Sequence, residues 1–415
     1  MTAGKILGRR WAQALRWAGT AGLAAALAAC GGGGGGGGGS VAGEGALRVA
    51  LTDAPACGFQ NVWVTVEKVR VHQSGTASDT DGGWTDLTIN PARRVDLLEL
   101  ANGTLLELGT VPLAAGSYSQ VRLVLATNST TGTGTATIAN AVLPTDGTVV
   151  PLSTPSGQQS GLKLQAHFDV APGQTADLVL DFDACKSVIK AGNSGNYSLK
   201  PVISVVPRLA SGIQGFVAKS LTAGSTTIAV QQNGVTVRST SPDANGQFSI
   251  PFLSTGTYSL VIMSEGHATA VVTGVPAGTT TSAINGTATA ITTPVSTMAE
   301  VTGTVVVSSV AGSSTVSTAL TDATVRALQP LTGGPVLELG SQAVDSVLGS
   351  YRFRLPVAAP LKAAYVSTGP LVFSADTAAA GKYTVQAQAP GRTAQDKPAD
   401  ISTGTSAGAN FSYGP

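Results

Sequence analysis

Short runs in which apolar and polar residues alternate recur along most of this 415-residue chain. Leu47, Val49 and Leu51 alternate with Arg48, Ala50 and Thr52, which gives a strand one buried and one wetter face. The same period returns at Val121, Leu123 and Leu125, at Leu162, Leu164, Ala166, Phe168 and Val170, and at Leu178, Leu180 and Phe182. In NVWVTVEKVRVHQ the phase slips midway. Val62, Val64 and Val66 share a face, and Val69 and Val71 rejoin it only if Glu67-Lys68 contributes an extra residue, so a β-bulge is predicted there. Turn signals such as Ala114-Ala115-Gly116-Ser117 and Ala171-Pro172-Gly173-Gln174 separate the runs. Past the N-terminal segment no helical period is sustained for long, and Leu97 to Leu108 comes nearest. The prediction is an all-β chain of tandem antiparallel β-sandwiches.

The N-terminal segment breaks this pattern. Lys5, Arg9, Arg10 and Arg16 precede an almost wholly apolar or small stretch from Trp17 to Leu27, with no acidic residue before Glu44. That order is the order of a secretory signal. A membrane span needs about 20 predominantly apolar residues, and Arg16 leaves only about half that length. Leu27-Ala28-Ala29-Cys30 resembles the lipobox of bacterial lipoproteins, in which the cysteine thiol takes a diacylglyceryl group and becomes the mature N-terminus. Residues 1–29 are then a lipoprotein signal peptide, and the competing reading is a plain secretory signal with Cys30 near its cleavage site. Arg9-Arg10 invites a twin-arginine reading, but Trp11-Ala12-Gln13 matches that signal poorly. Gly31 to Gly39 cannot hold regular structure, so residues 30–45 read as a lipidated cysteine on a flexible tether with a span of roughly 20 Å. Gly31 stands where an aspartate would resemble the inner-membrane retention signal of Gram-negative lipoproteins. The resemblance implies an anchor in the outer membrane, with the folded part facing the periplasm or the cell surface.

Three domains follow. In residues 46–209, the stretches LTDAP, VWVTVEKVRVH, GGW, VDLLEL, AAGSYSQVRLVL, DFDACKS and YSLKPVI resemble, in order, domain-of-unknown-function family 4382. That family resemblance implies a secreted or lipid-anchored bacterial envelope protein and brings no assigned function. In residues 211–290, GIQGFVAKS, the Asp-x-x-Gly-x-Phe turn from Asp243 to Phe248 and the Gly-x-Tyr from Gly256 to Tyr258 resemble the carboxypeptidase regulatory-like, transthyretin-like sandwich. Asn245-Gly246 suits a turn with positive φ, and His267 stands where that family has an aromatic residue. In residues 300–415, EVTGTVVV, DATVRALQP, GSYRFRLP and GKYTVQAQAPGR repeat the grammar as a second, divergent sandwich with a long insertion. Thr279 to Met298, rich in Thr, Ser and Ala, reads as a linker that could carry O-linked sugar.

Composition narrows the chemistry. Charged residues are only 11% of the chain and balance to a net +1, so neither nucleic acid nor an anionic lipid surface is an evident partner. His72 and His167 fall on outward phases of their strands and His267 on a loop, with no Gly-x-Ser-x-Gly elbow and no local triad. Asp177, Asp181 and Asp183 share a strand face, and Asp79 and Asp81 share a loop. Calcium needs six to eight oxygens at about 2.3–2.6 Å, so a solvated charged face and a turn explain them better. The glycine run precedes no strand-helix unit with a lysine and is no phosphate loop. No catalytic, cofactor-binding or metal-ligating residue is therefore assigned.

Lipidation at Cys30 leaves Cys57 and Cys185 as an even pair in an oxidising compartment, and a Cys57–Cys185 disulfide is predicted over free thiols or a two-cysteine zinc site. The expectation is a lipid-anchored envelope protein with a non-catalytic binding or structural role, whose partners are the membrane and an envelope protein or glycan. The alternative is an enzyme or enzyme subunit acting on envelope carbohydrate or peptide through a site assembled from distant loops.

Overall fold

Alternation becomes strand along the chain. The computed structural model describes residues 43–415 except 54–57, 129–137, 146, 155–156, 158–159, 222–225, 286–288, 312–313 and 369. The signal peptide, Cys30, the glycine tether and Cys57 lie outside the described residues. Strands dominate, and no described helix is long and apolar enough to cross a membrane.

The first module closes a four-stranded sheet over an eight-stranded one. In the smaller sheet Glu44–Asp53 runs parallel to Thr175–Phe182 and antiparallel to Leu106–Ala114. In the larger, Phe59–His72 is central, and its register shifts between Val66 and Lys68 against both long neighbours. The extra residue, Glu67, is the predicted bulge, and it lets Val62, Val64, Val66, Val69 and Val71 all be buried. Both sheets feed one core that includes Leu47, Leu51, Val64, Leu123, Leu180 and Phe182. Each such side chain contributes roughly 1.5–3 kcal/mol by leaving water. The back face of the first strand is exposed at Glu44 and Arg48 but is covered from Ala50 onward. Further on, Thr52 is buried and its hydroxyl donates to the carbonyls of Leu100 and Thr104 at 3.0 and 2.9 Å. The faint helical period near Leu97 yields a single 3-10 turn, Leu97–Leu100, capped by Asp96.

The second module packs a three-stranded sheet centred on Gly212–Phe216 against a six-stranded sheet. Asp243 shapes the connecting turn by accepting from the amides of Asn245 and Gln247, both at 2.8 Å. Only Gly246 takes positive φ there, +82°, and a Cβ on it would meet the Val217 carbonyl oxygen at 2.1 Å. Tyr258 donates to the Ser254 carbonyl at 2.8 Å, just as Tyr118 in the first module donates to Ala114 at 2.9 Å. The segment expected as a linker, Thr279 to Met298, is laid along this module instead. Thr281–Ala283 pairs in parallel with Gly212–Phe216, and Ile291 bridges to Val217 and is buried. Its alternating apolar residues have a sheet edge to meet, which composition alone does not reveal.

The third module surrounds Val301, Val325, Phe353, Tyr383, Val385 and Phe411 with a five-stranded and a four-stranded sheet. Its long insertion leaves the module after Ser350–Pro356. Leu361–Ala364 adds to the second module's sheet, parallel to Ala270–Ala277, with Leu361 opposite Ala270 and Ala364 opposite Thr273. Ala363 and Leu371 enter the second core before the chain returns at Lys382–Gln388. The cores therefore do not divide where the sequence pattern does.

Candidate functional site

Residues 42–415 form one compact unit, and polar contacts lock the seams between its modules. Between the first and second, Arg238 Nη2 lies 3.3 Å from Asp181 Oδ1, with both side chains buried. Burial pushes the Asp181 carboxyl up and the Arg238 guanidinium down, and each partner's charge opposes the other's shift. Asn102 adds backbone contacts to this seam, its amide donating to Thr240 Oγ1 at 2.8 Å and its side-chain oxygen accepting from the Ser249 amide at 2.6 Å. Between the second and third modules, Gln231 and Glu338 bond reciprocally, Gln231 Nε2 to the Glu338 carbonyl at 2.6 Å and the Glu338 amide to Gln231 Oε1 at 3.0 Å. Between the first and third, Asp345 accepts from the Gly192 amide at 2.8 Å and Lys200 donates to the Thr321 carbonyl at 2.8 Å.

Asp181 thus corrects the expectation of a solvated acidic face. Of the three carboxylates, Asp177 pairs with Arg48, Asp183 pairs with Lys186 at 3.1 Å, and Asp181 is drawn into the seam by Arg238. Strand phase puts them on one face but does not say that another module covers part of it. Asp81 is held within its own loop by the Ser78 amide and hydroxyl. No group of three or more His, Cys, Asp or Glu suited to a metal occurs among the described residues.

Two clefts open along the seams. One, of about 370 Å³, is lined by residues of all three modules, including Lys186, Met263, Glu265, His267, Met298 and Glu338. Lys186 leans toward Asp183 at 3.1 Å and Glu338 at 4.0 Å, and Arg326 holds Glu338 at 2.6 Å. The second, a wider groove of about 870 Å³ between the first and third modules, is lined by Phe59, Tyr197, Lys190, Arg352, Gln342 and Asn410 among others. Phe59 and Tyr197 meet edge to face with centroids 5.8 Å apart, which fixes both rings at the groove wall. The groove offers apolar ring surface beside amide and cationic donors. That mixture suits a polar ligand with apolar patches.

The histidines are distributed as their strand positions imply. His72 packs on Trp84 with centroids 5.0 Å apart, His167 is exposed, and His267 is half-buried with Nδ1 3.0 Å from the Thr293 carbonyl. Ser264 lines the same cleft as His267, but its hydroxyl accepts from Thr226 at 2.8 Å. Nucleophilic catalysis would need a Ser–His contact there. Cys185 sits in a short helical turn, Ala184–Ser187, whose Ala184 amide donates to Asp53 Oδ1 at 3.0 Å. Neither cleft was legible in the sequence, since each gathers residues from modules far apart along the chain.

Residues 44–201 match the family model described as a domain of unknown function, DUF4382. No curated protein matches the chain. Among solved structures, the chain is similar to the Bacillus anthracis TIE protein at 14% identity and a TM-score of 0.17, over 90% of this chain and 50% of that one. It thus spans about half the length of that protein. A candidate carbohydrate-binding protein from Bacteroides uniformis is similar at 10% identity and a TM-score of 0.17, over 46% of this chain and 97% of that one.

Proposed function

We propose that this chain is a lipid-anchored envelope protein of non-catalytic role, tethered at Cys30 to the outer membrane, whose three welded β modules hold a ligand groove in fixed shape. The second and third modules are transthyretin-like sandwiches in this reading. The observation that carries it is the placement of both clefts at seams that polar contacts hold, Gln231 to Glu338 between the second and third modules and Gly192 to Asp345 and Lys200 to Thr321 between the first and third. A preformed groove loses little entropy on binding. The partner is an envelope protein or glycan that reaches the Phe59–Tyr197 wall.

A Cys57–Cys185 disulfide belongs to the same reading. Asp53 pairs with Phe182 and binds the Ala184 amide, and Phe59 shares the groove wall with Cys185, so the chain on both sides of Cys57 passes close to Cys185. The bond would brace the groove from within the first module.

The test places a photoreactive amino acid at Asn410, on the groove, or at Asp79, on a loop outside both clefts, in intact cells. Crosslinks from Asn410 and none from Asp79 support the reading. Equal labelling from both positions, or none from either, rejects the groove as the binding site.

A further inference from the structure

Apart from Met1, the chain has only two methionines, Met263 and Met298, and both line the cleft shared by the three modules, together with His267. Met263 ends a strand of the second module, at Gly256–Ser264, and is partly buried against Val261, Val271 and Leu337. His267 follows in the turn, its amide donating to the Ser264 carbonyl at 3.1 Å. The segment leading to Met298 is pinned to that same turn. The Ser296 amide donates to the Gly266 carbonyl at 2.8 Å, and His267 bridges Val295. The backbone thus brings two thioethers and one imidazole to a single polar-rimmed cleft.

The ring of His267 is tied to the backbone through one nitrogen, as a metal-ligating histidine commonly is. Nδ1 lies 3.0 Å from the Thr293 carbonyl oxygen, so in the neutral ring Nδ1 is the donor and Nε2 the lone-pair nitrogen. Nε2 has no hydrogen-bond partner among the described residues. A ligating histidine ordinarily donates its other ring N–H to a carbonyl or carboxylate, which fixes tautomer and direction. Thioethers are soft donors that hard cations such as calcium and magnesium ignore, while copper(I) accepts thioether and imidazole together. Glu265 and Glu338 in the same cleft are paired with Arg354 at 2.5 Å and with Arg326 at 2.6 Å, so the soft donors and not free carboxylates distinguish the cleft.

We propose that Met263, Met298 and His267 form a binding site for a soft monovalent cation, copper(I) or silver(I), at the junction of the three modules. The site binds without redox chemistry, since the cation enters and stays monovalent. Packing is the other role a methionine at an interface fills, and the two roles separate cleanly under substitution. Met263→Leu and Met298→Leu keep volume and apolar character, so they preserve the fold, while removing the sulfur.

The experiment titrates the detergent-solubilised full chain with silver(I) against a competing chromophoric chelator. Silver needs no reductant, so any disulfide stays intact. The expected result is one equivalent bound, with affinity falling at least tenfold in each of Met263→Leu, Met298→Leu and His267→Ala, and binding lost in the Met263→Leu/Met298→Leu double variant. X-ray absorption at the silver edge is expected to show sulfur and nitrogen neighbours in the wild type. Wild-type binding too weak to compete, or full affinity in the double variant, overturns the proposal. The groove reading stands apart from it, because crosslinking at Asn410 does not depend on the cation.

Discussion

Replacing Arg238 by methionine removes a charge from the seam between the first two modules while keeping most of the bulk. At the 3.3 Å separation from Asp181, an effective dielectric of about 20 gives roughly 5 kcal/mol of attraction. Desolvation of two buried ions opposes that attraction, so the pair's net worth is small. Removal of one member leaves the other buried and unpaired, and the expected loss for Arg238→Met is about 3–5 kcal/mol. Asp181→Leu/Arg238→Met replaces the pair with apolar side chains, and its loss is expected to be well below the sum of the single losses. Protonation gives a second handle. Burial raises the Asp181 carboxyl in the folded state, so without Arg238 its penalty is full above the folded pKa, fades as pH falls from there toward the unfolded value, and is gone below it. The Arg238→Met deficit therefore shrinks on acidification. Urea denaturation of each variant, followed by far-ultraviolet circular dichroism between pH 4 and 8, measures both effects. A deficit under about 1 kcal/mol, the worth of an exposed pair, refutes the reasoning. So does a double variant that loses as much as the two singles together.

Three further outcomes are expected. Non-reducing peptide mapping should link Cys57 to Cys185, and since the loop exceeds a hundred residues, reduction should cost about 4–5 kcal/mol on the chain-entropy model. Separate alkylated peptides would remove the bond. Burial opposes the Asp345 charge, but the amides of Leu348, Val347 and Gly192 outweigh it and hold the carboxyl below the usual range. Its contribution is thus present above the unfolded pKa of about 3.9 and lost as pH falls through the folded value. Exchange of the Gly192 amide should quicken, relative to the intrinsic rate, below that point in the wild type and lack this pH step in Asp345→Asn. Cys30→Ala should move the protein from the detergent to the aqueous phase, and unchanged partitioning would dismiss the anchor.

Local features of the chain announced themselves, and features made between modules did not. The slip of phase at Glu67 could be read because a bulge is the only way one strand keeps Val66 and Val69 on the same face. The turn at Asp243 to Gly246 could be read because Asn245-Gly246 is a local positive-φ signal, and Gly246 takes it at +82°. Asp181 looked like Asp177, its neighbour in phase, since nothing near either says that Arg238 waits on another module. The meeting of Met263, Met298 and His267 was equally hidden. It depends on the Thr279–Met298 segment folding back along the second module, and that segment's composition suggested a linker. The all-β architecture was legible; the seams, where the candidate sites lie, were not.

The strand at Leu361–Ala364 also sets a schedule. The second module's larger sheet is finished by residues that follow its first strand, Thr226–Gln232, by about 135 positions, after five strands of the third module, from Met298–Ala311 to Ser350–Pro356, have been made. A chain emerging N-terminus first therefore exposes the edge of Ala270–Ala277, with Val272 and Val275 behind it, until residue 364 arrives. An open edge of that kind invites pairing with other chains. The late pairing also adds sequence separation, which slows folding. An isolated Gly212 to Ala290 fragment would keep the edge bare permanently, so any test of that module alone should carry the chain through residue 375.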